Sequence, residues 1–149
     1  MRRVARGCLL FFATGAGSGY APVMPGTAGS AAAMLLYILF LAGLSLKLYI
    51  VLVCLITIAA VWISSRAAQL LAGNDPPQVV IDEICGMLIT LLGIPPAWYY
   101  AAAGFLVFRV FDVVKPFPAN RINDRMHGGA GIVLDDVVAG IYANAVLHG

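Results

Sequence analysis

Acidic residues are missing from the first 74 positions of this 149-residue chain. All seven (Asp75, Asp82, Glu83, Asp112, Asp124, Asp135 and Asp136) fall between positions 75 and 136. Charge is scarce throughout: 11% of residues are charged and 62% are hydrophobic, against roughly 25% and 45–50% in an average soluble domain. A domain this small exposes much of its surface, so that balance excludes an ordinary water-soluble globule. The mean hydropathy of +0.94 points to lipid as the solvent for most of the chain. The length leaves room for one membrane-embedded domain over 1–149 and no separate soluble one.

Cysteine and histidine are also sparse. Cys8, Cys54 and Cys85 stand singly in apolar stretches with no C-x-x-C pair and no nearby His, which argues for small apolar residues in a reduced compartment. Cys85 is followed by no Arg, so the loop of a cysteine phosphatase is absent. Neither His127 nor His148 has the flanking basic motif of a phosphohistidine enzyme. Repeats and low-complexity segments are absent, and nothing in the charge pattern suggests nucleic acid.

What is present is a series of apolar runs with strong punctuation. Gly7 to Tyr20 is uncharged, but short and glycine-rich, and predicts an interfacial or re-entrant segment. Arg2, Arg3 and Arg6 before it resemble a signal-peptide start, yet no cleavage site follows, so the N-terminus is expected to be retained. Apolar runs at 28–46 and 48–65 predict a first hairpin, with Thr27 as a helix cap and Lys47 at the turn. Asp75 is expected to cap a third helix that starts at Pro76. Pro95 and Pro96 interrupt the apolar run between Glu83 and Arg109, so helices at 76–94 and 97–114 are expected to form a second hairpin. A polar loop through Arg121, Asp124, Arg125 and His127 then leads to a last helix at 132–147. The expected fold is all-α, a polytopic membrane bundle of about five helices. With the N-terminus inside, eight of the nine Lys and Arg residues fall on the cytoplasmic side.

Folding the second hairpin at Pro95–Pro96 puts Asp82 and Arg109 at one depth, about 18 Å from the turn. Asp112 and Lys115 follow one and two turns on. Asp135 and Asp136 are expected in the first turn of the last helix on the same face, where the helix dipole tolerates negative charge. An oxygen-only cluster of Asp82, Glu83, Asp112, Asp135 and Asp136 suits a hard cation, Mg²⁺ above all, and Mg²⁺ commonly takes phosphate oxygens as further ligands. Arg109 and Lys115, with Thr27 and Arg125, would hold a phosphate. A small transporter or ion-pathway protein is the alternative, although its acids should lie near the midplane. A CDP-alcohol-type phosphotransferase lacks its expected D-G-x-x-A-R-like run here.

Four strings carry a resemblance: Pro25-Gly26-Thr27-Ala28-Gly29-Ser30; Asp75-Pro76 with Val79-Val80-Ile81-Asp82-Glu83; Phe108-Arg109 through Lys115-Pro116; and Gly128-Gly129-Ala130-Gly131 through Gly140. Together, over about positions 14 to 142, the chain resembles the phosphatidylglycerophosphatase A family of bacterial inner membranes. The resemblance implies a Mg²⁺-dependent, multi-pass phosphatase that converts the phospholipid phosphatidylglycerophosphate to phosphatidylglycerol on the cytoplasmic side. It carries the family's acidic motif onto Asp75, Asp82 and Glu83, its R-x-x-D-x-x-K-P motif onto Arg109, Asp112, Lys115 and Pro116, and its paired acids onto Asp135 and Asp136. The bare Pro95-Pro96-Ala97-Trp98 connection is shorter than the loop the family carries there. It lies at the far side from these residues. The implied catalytic group is Asp82, Asp112, Arg109 and Lys115.

Overall fold

The computed structural model describes residues 2–73 and 75–149; Asn74, part of the expected turn before the third helix, lies outside the described residues, as does Met1. Among the described residues every regular element is helical. The chain runs through α1 (Arg2–Ala13), a short 3₁₀ turn (Ser18–Tyr20), α2 (Pro25–Leu36) and α3 (Leu46–Leu71). It continues through α4 (Ile81–Thr90), α5 (Trp98–Val114), α6 (Ala119–Arg125) and α7 (Gly129–His148). α2 widens into a π-helical stretch over Tyr37–Leu41. The all-α expectation holds, with seven α-helices among the described residues rather than about five.

Among the described residues two helices, α3 and α7, are long and apolar enough to cross a membrane. α3 turns Leu48, Val51, Leu55, Ile58 and Trp62 outward at alternating spacings of three and four, a continuous exposed apolar stripe.

Several boundaries differ from the sequence reading. α1 is a regular helix that begins before Gly7, and only its exit through Gly15 and Gly17 is irregular. α2 begins at Pro25, preceded by Met24 with a left-handed backbone, so Thr27 sits inside the first turn instead of capping it. Lys47 lies within α3, whose entry is at Ser45.

α4 begins at Ile81, not Pro76, and Asp75 caps nothing. The cause is tertiary. Val79 and Val80 are buried, and the Val80 N–H donates to Ala13 O (2.9 Å) in place of a helical carbonyl. α4 ends at Thr90 because α7 supplies the cap: the Asn144 amide donates to Thr90 O (3.0 Å) and Leu92 O (2.8 Å). The predicted polar loop contains α6. α7 starts three residues before Ile132, since Gly129 packs directly against Val61 O and Ser65 of α3.

The Pro95–Pro96 turn does form the expected hairpin. Gly86 faces Phe108, and Gly104 faces Leu91 and Thr90, so α4 and α5 run antiparallel. α4 is the central helix and runs parallel to α7, since Gly86 meets Asp136 O while Asn144 reaches Leu92. At this crossing the backbones touch: a Cβ on Gly140 would strike Gly86 O, and one on Gly86 would strike both Phe108 and Asp136 O. Only glycine lets the helices approach so closely. We expect Gly86→Ala to force α4 away from α7, at a cost of roughly 1–3 kcal/mol. The check is a lower thermal midpoint together with lost activity.

Candidate active site

One end of the bundle collects the N-terminal ends of α2, α4 and α7 and the C-terminal ends of α3 and α5. Asp82 and Glu83 lie in the first turn of α4. Asp136 lies on α7, in its second turn and not its first, so the helix dipole helps it less than expected. The distance between helices is set one turn below. Asp82 precedes Gly86 by four residues, and Asp136 precedes Gly140 by four, so each acid stands directly above the glycine contact. Ligand oxygens of Asp82, Glu83 and Asp136 consequently fall within 4.8 Å of one another.

The bases are arranged around this group. On α5, Arg109 pairs with Asp112, and the Asp112 carboxyl adjoins that of Asp136. α5 ends at Lys115, whose left-handed backbone turns its side chain onto Asp135. Burial alone would lower the Lys115 pKa, but the hydrogen bond and charge of Asp135, with Asp136 and Asp112 nearby, hold it above its usual value. It is therefore an ammonium at neutral pH.

α2 closes the fourth side. A Cβ at Gly26 would collide with Glu83 Oε1 and come within 3.4 Å of Arg109 Nη1, so the bare first turn of α2 lies against both groups. Glu83 and Arg109 thus meet at one depth, one residue along from the Asp82–Arg109 match that the hairpin count predicts.

Asp82, Asp112, Asp135 and Asp136 are all buried. Asp82 Oδ1, Glu83 Oε2, Asp135 Oδ1 and Thr27 Oγ1 are buried with no hydrogen-bond partner among the described residues. Buried carboxylate oxygens without a donor are costly, and several together fit a bound cation. Of the five expected metal ligands, Asp82, Glu83 and Asp136 form the compact group, Asp112 stands beside it, and Asp135 faces Lys115. Arg125 sits exposed in the last turn of α6. Asp75 lies in the approach to α4, close enough to Asp82 and Lys115 for their charges to interact. Gly26, Gly86 and Gly140 were not among the expected site residues. The D-x-x-x-G spacing shared by Asp82–Gly86 and Asp136–Gly140 is the signal that could have found two of them.

The family model for phosphatidylglycerophosphatase A matches residues 11–149. This chain belongs to the phosphatidylglycerophosphatase A family. The protein named phosphatidylglycerophosphatase A from Escherichia coli K12 is 39% identical over 137 residues, covering 91% of this chain and 79% of its own. The Haemophilus influenzae protein of the same name is 35% identical over 136 residues, covering 91% and 83%. A Bacteroides thetaiotaomicron relative named "Putative phosphatidylinositol-3-phosphatase" is 40% identical over 137 residues, covering 87% and 85%. No solved structure matches the chain. As a member of the phosphatidylglycerophosphatase A family the chain is a phosphatase, a phosphoric monoester hydrolase.

Proposed function

We propose that this phosphatase hydrolyses phosphatidylglycerophosphate to phosphatidylglycerol and phosphate, using Mg²⁺, as a multi-pass protein of the bacterial inner membrane. The observation that carries the reading is the compact group of Asp82, Glu83 and Asp136, with unpartnered buried oxygens and two bases alongside. The outward apolar stripe of α3 supports a lipid surround. The excess of Lys and Arg at the acid-bearing end supports a cytoplasmic site. Acids gathered at one end also suit a lipid headgroup at the membrane surface better than an ion path at the midplane.

Asp82, Glu83 and Asp136 would hold Mg²⁺, and the oxygen-only set with no His or Cys matches its preference. When bound, the ion supplies Lewis-acid polarisation of a phosphoryl oxygen. Arg109 and Lys115 hold the remaining phosphoryl oxygens and stabilise the charge that develops as the ester bond lengthens. Asp112 and Asp135 keep those two cations oriented. Water attacks phosphorus in line, the phosphorus–oxygen ester bond breaks, and the glycerol oxygen leaves with the proton that the attacking water gives up and Asp112 passes on. Asp112, beside Asp136, accepts the proton from the attacking water. Thr27 Oγ1 offers an uncommitted hydroxyl to the phosphate.

The Bacteroides relative's name favours a second reading in which an inositol lipid phosphate is the substrate. Phosphate release from both lipids, with Mg²⁺ and with chelator, separates the two. We expect Mg²⁺-dependent release from phosphatidylglycerophosphate and much slower release from phosphatidylinositol 3-phosphate. The reverse preference would overturn the substrate assignment, and release unaffected by chelation would overturn the metal.

A further inference from the structure

α1 is too short to cross a bilayer, because its 12 residues rise about 18 Å. Its last turns bury Ala13 and pack Leu9 and Leu10 toward α3, while Arg3, Val4, Arg6, Phe11 and Phe12 stay exposed. Between α1 and α3 runs a groove of about 490 Å³, lined by Arg6, Cys8, Leu9, Phe12, Trp62 and Ile63 among others. Its walls are almost wholly apolar, although Arg6 is an exposed residue. An apolar lining that includes an exposed arginine fits a side chain whose methylenes line the groove while its guanidinium reaches the rim. Arg3 stands one helical turn earlier. No carboxylate among the described residues pairs with either, and the first 74 positions contain none. The groove also adjoins Trp62, the last member of the outward apolar stripe of α3.

An apolar channel on a lipid-facing helix, with exposed Arg6 in its lining and exposed Arg3 one turn beyond, is complementary to an anion carried on hydrocarbon. We propose that the α1–α3 groove binds one acyl chain of an anionic phospholipid of the bilayer, with the net negative charge of its headgroup held by Arg6 and Arg3. The site is separate from the acids, which lie on α4, α5 and α7. It is nonetheless coupled to them: Ala13 O, at the end of α1, accepts the N–H of Val80 just before Asp82 and Glu83. Lipid seated in the groove fixes α1 against α3 and so steadies the entry to α4. A zwitterionic lipid fits the channel but brings no net charge to the rim, and inorganic phosphate brings charge without the chain.

The inference stands independently of the phosphatase chemistry and is tested without an activity readout. The chain has two tryptophans, Trp62 in the groove and Trp98 exposed at the start of α5. The full-length Trp98→Phe protein is reconstituted in phosphatidylcholine vesicles containing increasing fractions of lipid with dibrominated chains, either phosphatidylserine or phosphatidylcholine. Bromine quenches tryptophan only on contact, so quenching reports which lipid occupies the groove. We expect roughly fivefold preference for the anionic lipid at Trp62 for each arginine that contributes. The preference should fall toward parity in Arg3→Gln/Arg6→Gln and be absent at Trp98 in the Trp62→Phe protein. Equal quenching of Trp62 by the two lipids, a preference that survives loss of both arginines, or the same preference at Trp98 would overturn the proposal.

Discussion

Asp136→Asn is expected to abolish phosphate release, by on the order of 10³-fold, while making the ion-free protein more stable. Both effects have one origin. Asp136 is buried beside Asp82, Glu83 and Asp112, and among the described residues Arg109 forms its ion pair with Asp112 and Lys115 with Asp135. Without a cation the like charges repel in a medium that screens them poorly, so a neutral amide of the same size relieves strain of roughly 1–2 kcal/mol. With a cation the same change removes an anionic ligand and weakens its hold. The checks are phosphate release at saturating Mg²⁺ and the thermal midpoint in chelator. A fully active Asp136→Asn protein would remove the residue from the site.

Arg109→Ala is expected to reduce kcat/KM by roughly 10²–10³-fold, with much of the loss in kcat. Arg109 touches the first turn of α2 beside Glu83 and is held by Asp112 one helical turn along α5. Its removal deletes a cation from the phosphoryl group and leaves Asp112 buried without its partner. Arg109→Lys keeps the charge but loses the planar fork, and should fall between the two. A protein whose kcat is unchanged and whose KM alone rises would reduce Arg109 to a headgroup contact.

The second hairpin was readable from the chain because two adjacent prolines forbid helix and the arms on either side count outward as straight rods. That count brings Arg109 to the depth of Asp82, and the structure sets it beside the next residue, Glu83. The start of α4 was not readable. Asp75-Pro76 is a good local helix start, but burying Val79 and Val80 and bonding Val80 to Ala13 outweigh a local preference. α6 was hidden for the opposite reason: Asn120, Asn123 and Asp124 favour turns, and α6 forms where it packs on α7. The set of charged site residues was visible as charge in an apolar chain, yet its partition was not. Asp135 and Asp136 are adjacent in sequence, and a 100° rotation about the helix sends one to Lys115 and the other to Glu83 and Asp82. Which of them faces which neighbour depends on the α4–α7 crossing, and that depends on Gly86 and Gly140, residues with no chemistry of their own.

The central claim is that Asp82, Glu83 and Asp136 jointly hold a divalent cation. It is tested most directly by binding, without turnover. Mn²⁺, an oxygen-seeking stand-in for Mg²⁺, is titrated into the purified chain, and free ion is followed by electron paramagnetic resonance. The account predicts Mn²⁺ binding that Mg²⁺ displaces, that Asp82→Asn and Asp136→Asn each weaken by at least about tenfold, and that Asp135→Asn largely preserves. Binding that is indifferent to Asp82 and Asp136, or lost with Asp135 alone, would contradict it.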